Sequence, residues 1–550
     1  MNNPYEDIVN CQISGDKTIK DLLTYNGVCY WWFIDIPLYF NLCFGLPLLK
    51  DFQIRCLLLL VRYVPIFIPL LTLFATLFWN LHVLLSRKDG IKNNSVNEIY
   101  YRVLFPEWRT ICDDSGVHYK NIYHSDIIDQ LLKKKQVKLL FNFSLNLSSS
   151  KKYLQLSSNL NILGIRSTYL EKYWSKNTFK EQFEATRYFK KIWECIDKND
   201  DWVKLWAKAS GKEFKHIHQY LKFLILIILP YSVWYVGLCE NFIIKNQPSV
   251  IVMRDEQTNS GRGLVYMARK YSIPTVGIQH GNIAQHPAYL YHSPLDISLS
   301  KTDLAKTFPV PSLTCVWGEA EYDLLVNKAG YLKEQVVVTG NPRYDYLGSA
   351  SERYSREAFC LRYGFDPKQK IILYATASHG FTFNDNQRYL TEVLTSVDNL
   401  HDVVLIIKQH PREGDIYTNW IRQSISEYKS NVQIIVPDKV SDTTEMVYFS
   451  DIIILHSSTT GQEAVAFHKP LIVMDFSDKP DYAEYVKEGV ALGAYVEGSL
   501  KEKIVEILDG KHNFTRQQDL YIKKHMYKID GQAAIRCSDI ILNCISKEKR

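Results

Sequence analysis

Two apolar runs within residues 403–474 constrain the fold most strongly, because each of them ends in a short polar motif. Residues 403–407 lead into Lys-Gln-His-Pro-Arg, and Ile452–Leu455 leads into a Ser/Thr/Gly loop and a short segment with Glu463. A third apolar run, Leu471–Met474, follows. Short apolar runs bounded by turn residues predict buried strands. Their alternation with a helical segment predicts a βαβ unit in a parallel α/β sheet.

The polar motifs therefore fall at the carboxyl ends of predicted strands, which is where parallel α/β sheets bind ligands. Helix N-termini at that edge expose unpaired N–H groups that favour phosphate. Each motif alone has a simpler explanation, since Ser and Thr also cap helices and His-Pro also ends strands. Together, on strands expected to be neighbours, they favour a phosphate and ribose site. The predicted donor-binding residues are His410, Arg412, Ser457, Ser458, Thr459, Thr460 and Glu463.

A second βαβ unit is predicted upstream. Residues 248–253 form an apolar run that ends in an Arg-Asp-Glu triplet containing Asp255, and residues 274–278 end in Gln-His-Gly containing His280. Two such halves predict two Rossmann-like domains facing each other across a cleft. The predicted division is an apolar helical segment over residues 1–96, an acceptor domain over residues 97–320 and a nucleotide-donor domain over residues 321–550.

The N-terminal segment is apolar enough to associate with a membrane or cross it. Residues 64–85 contain no charged side chain, and at ~1.5 Å per residue such a run can cross a ~30 Å hydrocarbon core. Tyr30, Trp31 and Trp32 suit a membrane interface, but basic residues flank both ends and leave the orientation open. A helical hairpin packed on the domain is an equal alternative. A hairpin lying in the membrane plane would leave the catalytic part on the cytoplasmic side of the cell membrane.

Composition narrows the class of protein. The net charge of +6 is spread without a long basic run, so nothing indicates nucleic acid as a partner. The eleven cysteines include no CxxC pair, which argues against a disulfide framework or a zinc site. The N-terminus lacks a signal-peptide pattern, which favours a cytoplasmic catalytic part. Residues 221–238 are apolar but contain Pro230, and we predict a buried core helix there.

The His-Pro pair, the later Ser-Ser pair and the strand-loop-helix with Glu463 resemble the nucleotide-binding half of GT-B glycosyltransferases. The order of motifs over residues 250–510 also resembles that of the UDP-N-acetylglucosamine 2-epimerases, which use the same fold. The segments are VVVTGNPRYD (336–345), IILYATASHGF (371–381), the His-Pro pair, SSTTGQEA and DKPDYAEYVKEG (478–489). Bacterial sialyltransferases, Kdo transferases, the CDP-glycerol glycerophosphotransferases and the UDP-N-acetylglucosamine 2-epimerases share such features. The resemblance implies an α/β fold of two Rossmann-like domains, to which the N-terminal apolar helical hairpin is added.

The resemblance also implies roles for single residues. His280 is similar to the proposed base in the Trp-His-Gly segment of the glycerophosphotransferases, although the preceding Trp is absent here. Asp255 is the rival base, because bacterial sialyltransferases use an acidic residue of the N-terminal domain. Glu463 would bind the ribose, whereas His410 and the Ser/Thr loop would hold phosphate. No Asp-x-Asp triplet follows a predicted strand, so neither a metal nor a cofactor is expected.

The function that follows is a metal-independent glycosyltransferase or glycerophosphotransferase of capsule or surface polysaccharide synthesis. Its partners would be a CMP-, CDP- or UDP-linked donor, a polysaccharide or lipid-linked acceptor and a membrane surface. One alternative is a nucleotide-sugar 2-epimerase, which needs acid/base groups that residues 277–281 and 376–380 largely lack. The other is an inactive, membrane-tethered binding module.

Overall fold

This computed structural model describes residues 8–34, 97–102, 108–113, 116–121, 125–133, 137–143, 166–210, 214–281, 307–376, 383–410, 413–428, 431–439, 441–456, 458–477 and 484–547, and residues 74, 283 and 297 singly. The chain divides into two compact units. The N-terminal unit comprises residues 1–316, 320–339 and 535–550, and the C-terminal unit comprises residues 317–319 and 340–534. The predicted α/β class with two Rossmann-like sheets is confirmed. The predicted apolar hairpin falls mostly outside the described residues.

The strands in chain order are β1 Gln12–Ser14, β2 Lys17–Thr18, β3 Thr24–Tyr25, β4 Val28–Cys29, β5 Asn97–Arg102, β6 Trp108–Asp113, β7 Gly116–Asn121, β8 Val137–Phe143, β9 Arg166–Tyr169, β10 Val250–Met253, β11 Thr275–Ile278, β12 Leu313–Val316, β13 Val336–Val338, β14 Lys370–Ala375, β15 Val403–Lys408, β16 Gln433–Ile435, β17 Ile452–Leu455, β18 Leu471–Met474 and β19 Leu492–Ala494. The α-helices are Ile19–Leu22, Ser125–Leu132, Lys176–Asp197, Asp200–Ser210, Phe214–Phe223, Leu229–Asn246, Asn259–Lys270, Glu319–Asp323, Ala350–Arg353, Arg356–Tyr363, Phe383–Val397, Asp415–Tyr428, Thr443–Phe449, Thr460–Ala466, Leu500–Leu508, Thr515–Tyr521 and Ala533–Lys547.

The N-terminal unit is built on a seven-stranded sheet in the order β13-β12-β11-β10-β5-β8-β9. All its neighbouring strands are parallel. Counted in chain order from β5, this is the arrangement 3-2-1-4-5-6 of dinucleotide-binding Rossmann folds with one more strand at the edge. The order reverses between β5 and β10, so the crevice that such sheets use for ligands lies at the carboxyl ends of those two strands.

The C-terminal unit repeats the arrangement with six parallel strands in the order β16-β15-β14-β17-β18-β19. Its central strands are buried along their whole length, because helices cover both faces of such a sheet and apolar residues are required throughout. The order reverses between β14 and β17. This finding corrects the expectation that β15 and β17 are neighbours, because β14 lies between them and separates His410 from the Ser/Thr loop.

The described part of the N-terminal segment, residues 8–34, packs into the N-terminal unit. Trp31 and Trp32 are fully buried in its core, and the ring of Trp32 meets Phe308 edge-on with centroids 5.1 Å apart. The Tyr188 hydroxyl donates hydrogen bonds to the carbonyls of Leu22 (2.8 Å) and Thr24 (3.1 Å). The aromatic residues at positions 30–32, expected at a membrane interface, are thus in contact with protein.

The apolar stretch around Pro230 is a buried helix of the N-terminal unit, as predicted. A single π-helical turn, Leu224–Ile228, joins Phe214–Phe223 to Leu229–Asn246. Pro230 is the second residue of Leu229–Asn246 and lies directly after the π-helical turn, where the backbone hydrogen-bond pattern changes. In the described residues this is the one helix long and apolar enough to cross a membrane, and 72% of its most apolar window is buried in the protein.

Candidate functional site

The crevice of the C-terminal unit lies where β14 and β17 end side by side. Tyr374 of β14 pairs with Ile454 of β17, and Thr376 and His456 each follow two residues later. These two side chains therefore stand on adjacent strands at the edge where the strand order reverses. Neither was selected from the sequence, because a linear pattern of strands does not show which of them become neighbours.

A hydrogen-bonded group connects β14 to the end of β15. The Thr376 hydroxyl donates to the Glu413 carboxylate at 2.8 Å and accepts from the backbone N–H of His410 at 3.0 Å. Burial raises the pKa of Glu413, while the hydrogen bond from Thr376 opposes that rise. The structure thus brings the predicted His410 into this group, together with Glu413, which the sequence analysis missed.

A buried lysine strengthens the same edge. Lys408 is 3% exposed, and its ammonium donates to the carbonyls of Gln409 (3.1 Å) and Lys439 (2.8 Å). Lys439 in turn donates to the Glu413 carbonyl at 2.8 Å and to the Asp415 carboxylate at 2.9 Å. These bonds fix the backbone that carries His410 with positive charge nearby, which suits an anionic ligand.

Glu463 lies in the first turn of Thr460–Ala466 and is 5% exposed. Its carboxylate accepts a 2.8 Å hydrogen bond from Thr444, whose hydroxyl lies 2.7 Å from that of Tyr346. Burial raises the pKa of Glu463, and the Arg343 guanidinium partly offsets this effect. A buried carboxylate with a polar neighbourhood is a suitable hydrogen-bond acceptor for sugar hydroxyls.

The predicted Ser/Thr loop is described from Ser458 onwards, and its hydroxyls engage one another. The Ser458 hydroxyl donates to that of Thr460 at 3.0 Å and accepts from the Thr460 N–H at 3.2 Å. Thr459 is exposed. Thr459 is the N-cap of the helix Thr460–Ala466 and makes no side-chain cap hydrogen bond, so the Ser458 hydroxyl holds the turn before the helix. The predicted Ser457 and Arg412 lie outside the described residues.

A glycine allows a tyrosine to close over this loop. A Cβ on Gly461 would lie 2.5 Å from the ring of Tyr485, whereas real Cβ contacts never come so close. The Tyr485 hydroxyl donates to the Ser458 carbonyl at 2.7 Å. Tyr485 is 2% exposed and holds the loop in place.

The other side of the crevice carries a histidine and aspartate pair. His456 Nε2 lies 3.0 Å from Asp475 Oδ1, at the carboxyl ends of β17 and β18. Burial raises the pKa of Asp475, but hydrogen bonds from His456 and Ser477 outweigh it and hold that pKa below its ordinary value. The ring of Tyr389 packs edge-on against the His456 ring, with ring centroids 5.9 Å apart.

In the N-terminal unit, Asp255 lies directly at the carboxyl end of β10, beside the strand-order reversal. Its carbonyl and carboxylate accept hydrogen bonds from the Thr258 hydroxyl at 2.8 and 3.2 Å. Thr258 also caps the helix Asn259–Lys270 by accepting from the Gly261 N–H at 3.1 Å. The side chain of Asp255 is 6% exposed. It is therefore engaged in a tight strand-to-helix turn.

His280 follows β11, one strand further from the reversal, and its side chain is half-buried. The preceding Gln279 is buried and donates from its amide to the Gly281 carbonyl at 2.9 Å. The structure thus places Asp255 and His280 at the same edge of one sheet, on adjacent strands. Over the described residues, no three His, Cys, Asp or Glu side chains form a group that could hold a metal ion.

Residues 312–542, less than half of the chain, match the family model described as UDP-N-acetylglucosamine 2-epimerase. No curated protein matches the chain. A UDP-GlcNAc 2-epimerase from Neisseria meningitidis bound to UDP-GlcNAc is similar at 14% identity over 82% of this chain and 100% of that chain, with a TM-score of 0.48. The glycotransferase of kitacinnamycin is similar at 11% identity (82% and 100%, TM-score 0.44), and the wall teichoic acid polymerase TagF at 12% (88% and 99%, TM-score 0.42).

Proposed function

We propose that this protein is a glycosyltransferase that moves a group from a nucleotide-activated donor to a hydroxyl of an acceptor. The family match over residues 312–542 supports a nucleotide-sugar ligand for the C-terminal unit. The buried carboxylate of Glu463, in the first turn of the helix that follows β17, supports ribose binding there. His410, Ser457, Ser458, Thr459, Thr460 and Arg412 are the proposed phosphate contacts.

Transfer is favoured over epimerisation by the side chain at position 279. The epimerases that the motifs resemble carry a glutamate in their His-Val-Glu-Ala-Gly segment, where this chain has Gln279. An amide cannot take or return a proton as a carboxylate does. The family match moreover leaves out β10 and β11, the strands that carry Asp255 and His280.

For the acceptor step we propose His280 as the general base. It is half-buried and so remains reachable, whereas the carboxylate of Asp255 is 6% exposed and already accepts a hydrogen bond from Thr258. The acceptor oxygen attacks the anomeric carbon, its proton passes to the imidazole, and the bond to the phosphate oxygen breaks with its electron pair on the phosphate.

The proposed acceptor is a surface polysaccharide or a lipid-linked glycan at the cytoplasmic side of the membrane. The uncharged run over residues 64–85 supports membrane association. No metal or cofactor is part of the proposal, because protein hydrogen-bond donors can take up charge on the leaving nucleotide.

Epimerisation stays the second candidate because of the family match. Incubation with UDP-N-acetylglucosamine in D₂O separates the two reactions. An epimerase that removes and returns a proton incorporates deuterium into the recovered nucleotide sugar, whereas a transferase releases nucleotide without labelling the remaining donor. Repeating the experiment with CMP-, CDP- and UDP-linked donors identifies the nucleotide. Deuterium uptake without nucleotide release would contradict the transferase.

A further inference from the structure

The His456–Asp475 pair is the strongest candidate for an unassigned function in the C-terminal unit. Both residues directly follow strands, β17 and β18, whose neighbouring positions are paired in parallel. His456 directly follows β17, one of the two strands at the strand-order reversal, which is where Rossmann-like sheets bind phosphate-containing ligands. The pair therefore lies beside the crevice without belonging to the His-Pro or Ser/Thr motifs.

The pair is built to hold one imidazole orientation. Asp475 is 1% exposed, and its Oδ1 lies 3.0 Å from His456 Nε2 while accepting a 2.9 Å hydrogen bond from the Ser477 N–H. A buried carboxylate at one ring nitrogen holds a histidine ring in one orientation. The other ring nitrogen, Nδ1, donates a hydrogen bond only when both ring nitrogens carry a proton, which is the form that the inference below takes.

The surroundings support the same orientation. The Tyr389 ring packs edge-on against His456, and its hydroxyl accepts a 2.8 Å hydrogen bond from the Phe476 N–H, next to Asp475. Tyr389 also stacks on Phe476 with ring centroids 4.8 Å apart. His456 keeps 16% of its side chain exposed, so a ligand at the sheet edge can reach it.

Burying the Asp475 carboxylate costs desolvation energy, so this contact is weak evidence for a contribution to stability. Asp475 Oδ2 has, among the described residues, no hydrogen-bond partner, which adds to that cost. Titratable pairs that cost stability in this way are found most often at binding and catalytic sites, where they interact with a ligand.

We infer that His456, positioned by Asp475, donates a hydrogen bond to the phosphate of the bound nucleotide and stabilises the charge that develops there when the nucleotide leaves. No proton transfer is required, because the bond to the sugar breaks with its electron pair on the phosphate oxygen and the imidazolium remains protonated. The inference rests on the proposed function, since it assumes that a nucleotide occupies the crevice.

Binding of nucleotide and nucleoside to the full chain tests this contact. CMP, CDP, UDP and GDP are titrated by calorimetry, and the tightest is compared with its nucleoside. His456→Ala should weaken the nucleotide about 10- to 100-fold, the range of a hydrogen bond to a charged group, and leave the nucleoside unchanged. His456→Gln, which retains an N–H donor, should restore part of the affinity.

A double-mutant cycle tests the role of Asp475. Asp475→Asn should weaken nucleotide binding in the parent chain but add nothing in the His456→Ala background, because Asp475 acts through His456. The exposed pair His468 and Asp519, 2.8 Å apart in the same unit, is the matched control. His468→Ala should leave nucleotide affinity unchanged.

The outcomes separate the two proposals. If no nucleotide binds the parent chain, the proposed function fails and this inference fails with it. If nucleotide binds with equal affinity to the parent and to His456→Ala, only this inference is overturned. Equal losses for nucleotide and nucleoside would also overturn it, since they would show a role in the fold or at the base.

Discussion

The Thr376 hydroxyl donates a 2.8 Å hydrogen bond to the Glu413 carboxylate and joins the end of β14 to the loop after β15. The same hydroxyl accepts from the His410 N–H at 3.0 Å. One side chain thus controls the position of the backbone at the His-Pro motif.

Thr376→Val should therefore loosen this edge of the sheet. The substitution keeps the side-chain shape but leaves a backbone N–H and a half-buried carboxylate without their partner, which costs ~1 to 3 kcal/mol. Hydrogen exchange should show faster opening of β14 and β15 than in the parent chain. Thr376→Ser keeps the hydroxyl and serves as the control. Equal protection in the Val variant and the parent would show that the bond contributes nothing.

The sequence predicts where strands begin and end, but it does not predict which strands become neighbours. The apolar runs placed β17 and β18 at their observed bounds, because strands buried on both faces are continuous apolar segments. Strand order is a tertiary property, and nothing in the linear pattern indicated that β14 would insert between β15 and β17. Thr376 and His456 were missed for that reason.

The same limit applies to single residues. Glu463 lies in the first turn of the helix after β17 and His410 follows β15, as the motifs indicated, and their roles in binding stay predictions. The partners that determine their chemistry, Thr444 and Glu413, come from segments without a distinctive pattern. The burial of Trp32 was one of two alternatives that the sequence left open, because an aromatic side chain suits a protein core and a membrane interface equally well.

The buried carboxylate of Glu463 should make stability depend on pH. Burial raises its folded-state pKa above the ordinary value of 4.5. Between the two pKa values the folded state binds more protons than the unfolded state, so stability falls as pH rises through that window. Glu463→Gln removes the cost of burying an ionised carboxylate, and the glutamine side-chain oxygen can still accept the hydrogen bond from Thr444. The melting temperature of the variant, relative to the parent, should therefore increase from pH 4.5 upwards and then level off. Parallel pH curves would contradict the assignment.

The proposed base can be tested against its rival. His280→Ala should lower the turnover rate ~100- to 10,000-fold, the usual contribution of general-base catalysis. Donor affinity should barely change, because the proposed donor contacts all belong to the C-terminal unit. Asp255→Asn is the comparison, and its effect should be smaller because Asn can still accept from Thr258. Loss of transfer in Asp255→Asn with activity retained in His280→Ala would reverse the two roles.

The last prediction separates membrane association from folding in the N-terminal segment. Residues 8–34 belong to the core of the N-terminal unit, where the Asn199 amide donates to the Ile13 carbonyl at 2.9 Å and Tyr188 holds the turn at Leu22. Removal of residues 1–96 should therefore unfold this unit, since loss of one buried Trp alone costs ~3 to 5 kcal/mol. Replacement of residues 35–96 by a Gly/Ser linker of equal length should instead preserve the fold and nucleotide binding, while flotation with liposomes is lost because the uncharged run is gone. Thermal melting and flotation of the two altered chains beside the parent measure both effects. If the chain with the Gly/Ser linker floats with liposomes as well as the parent does, another segment binds the membrane. Residues 64–85 would then have a packing role.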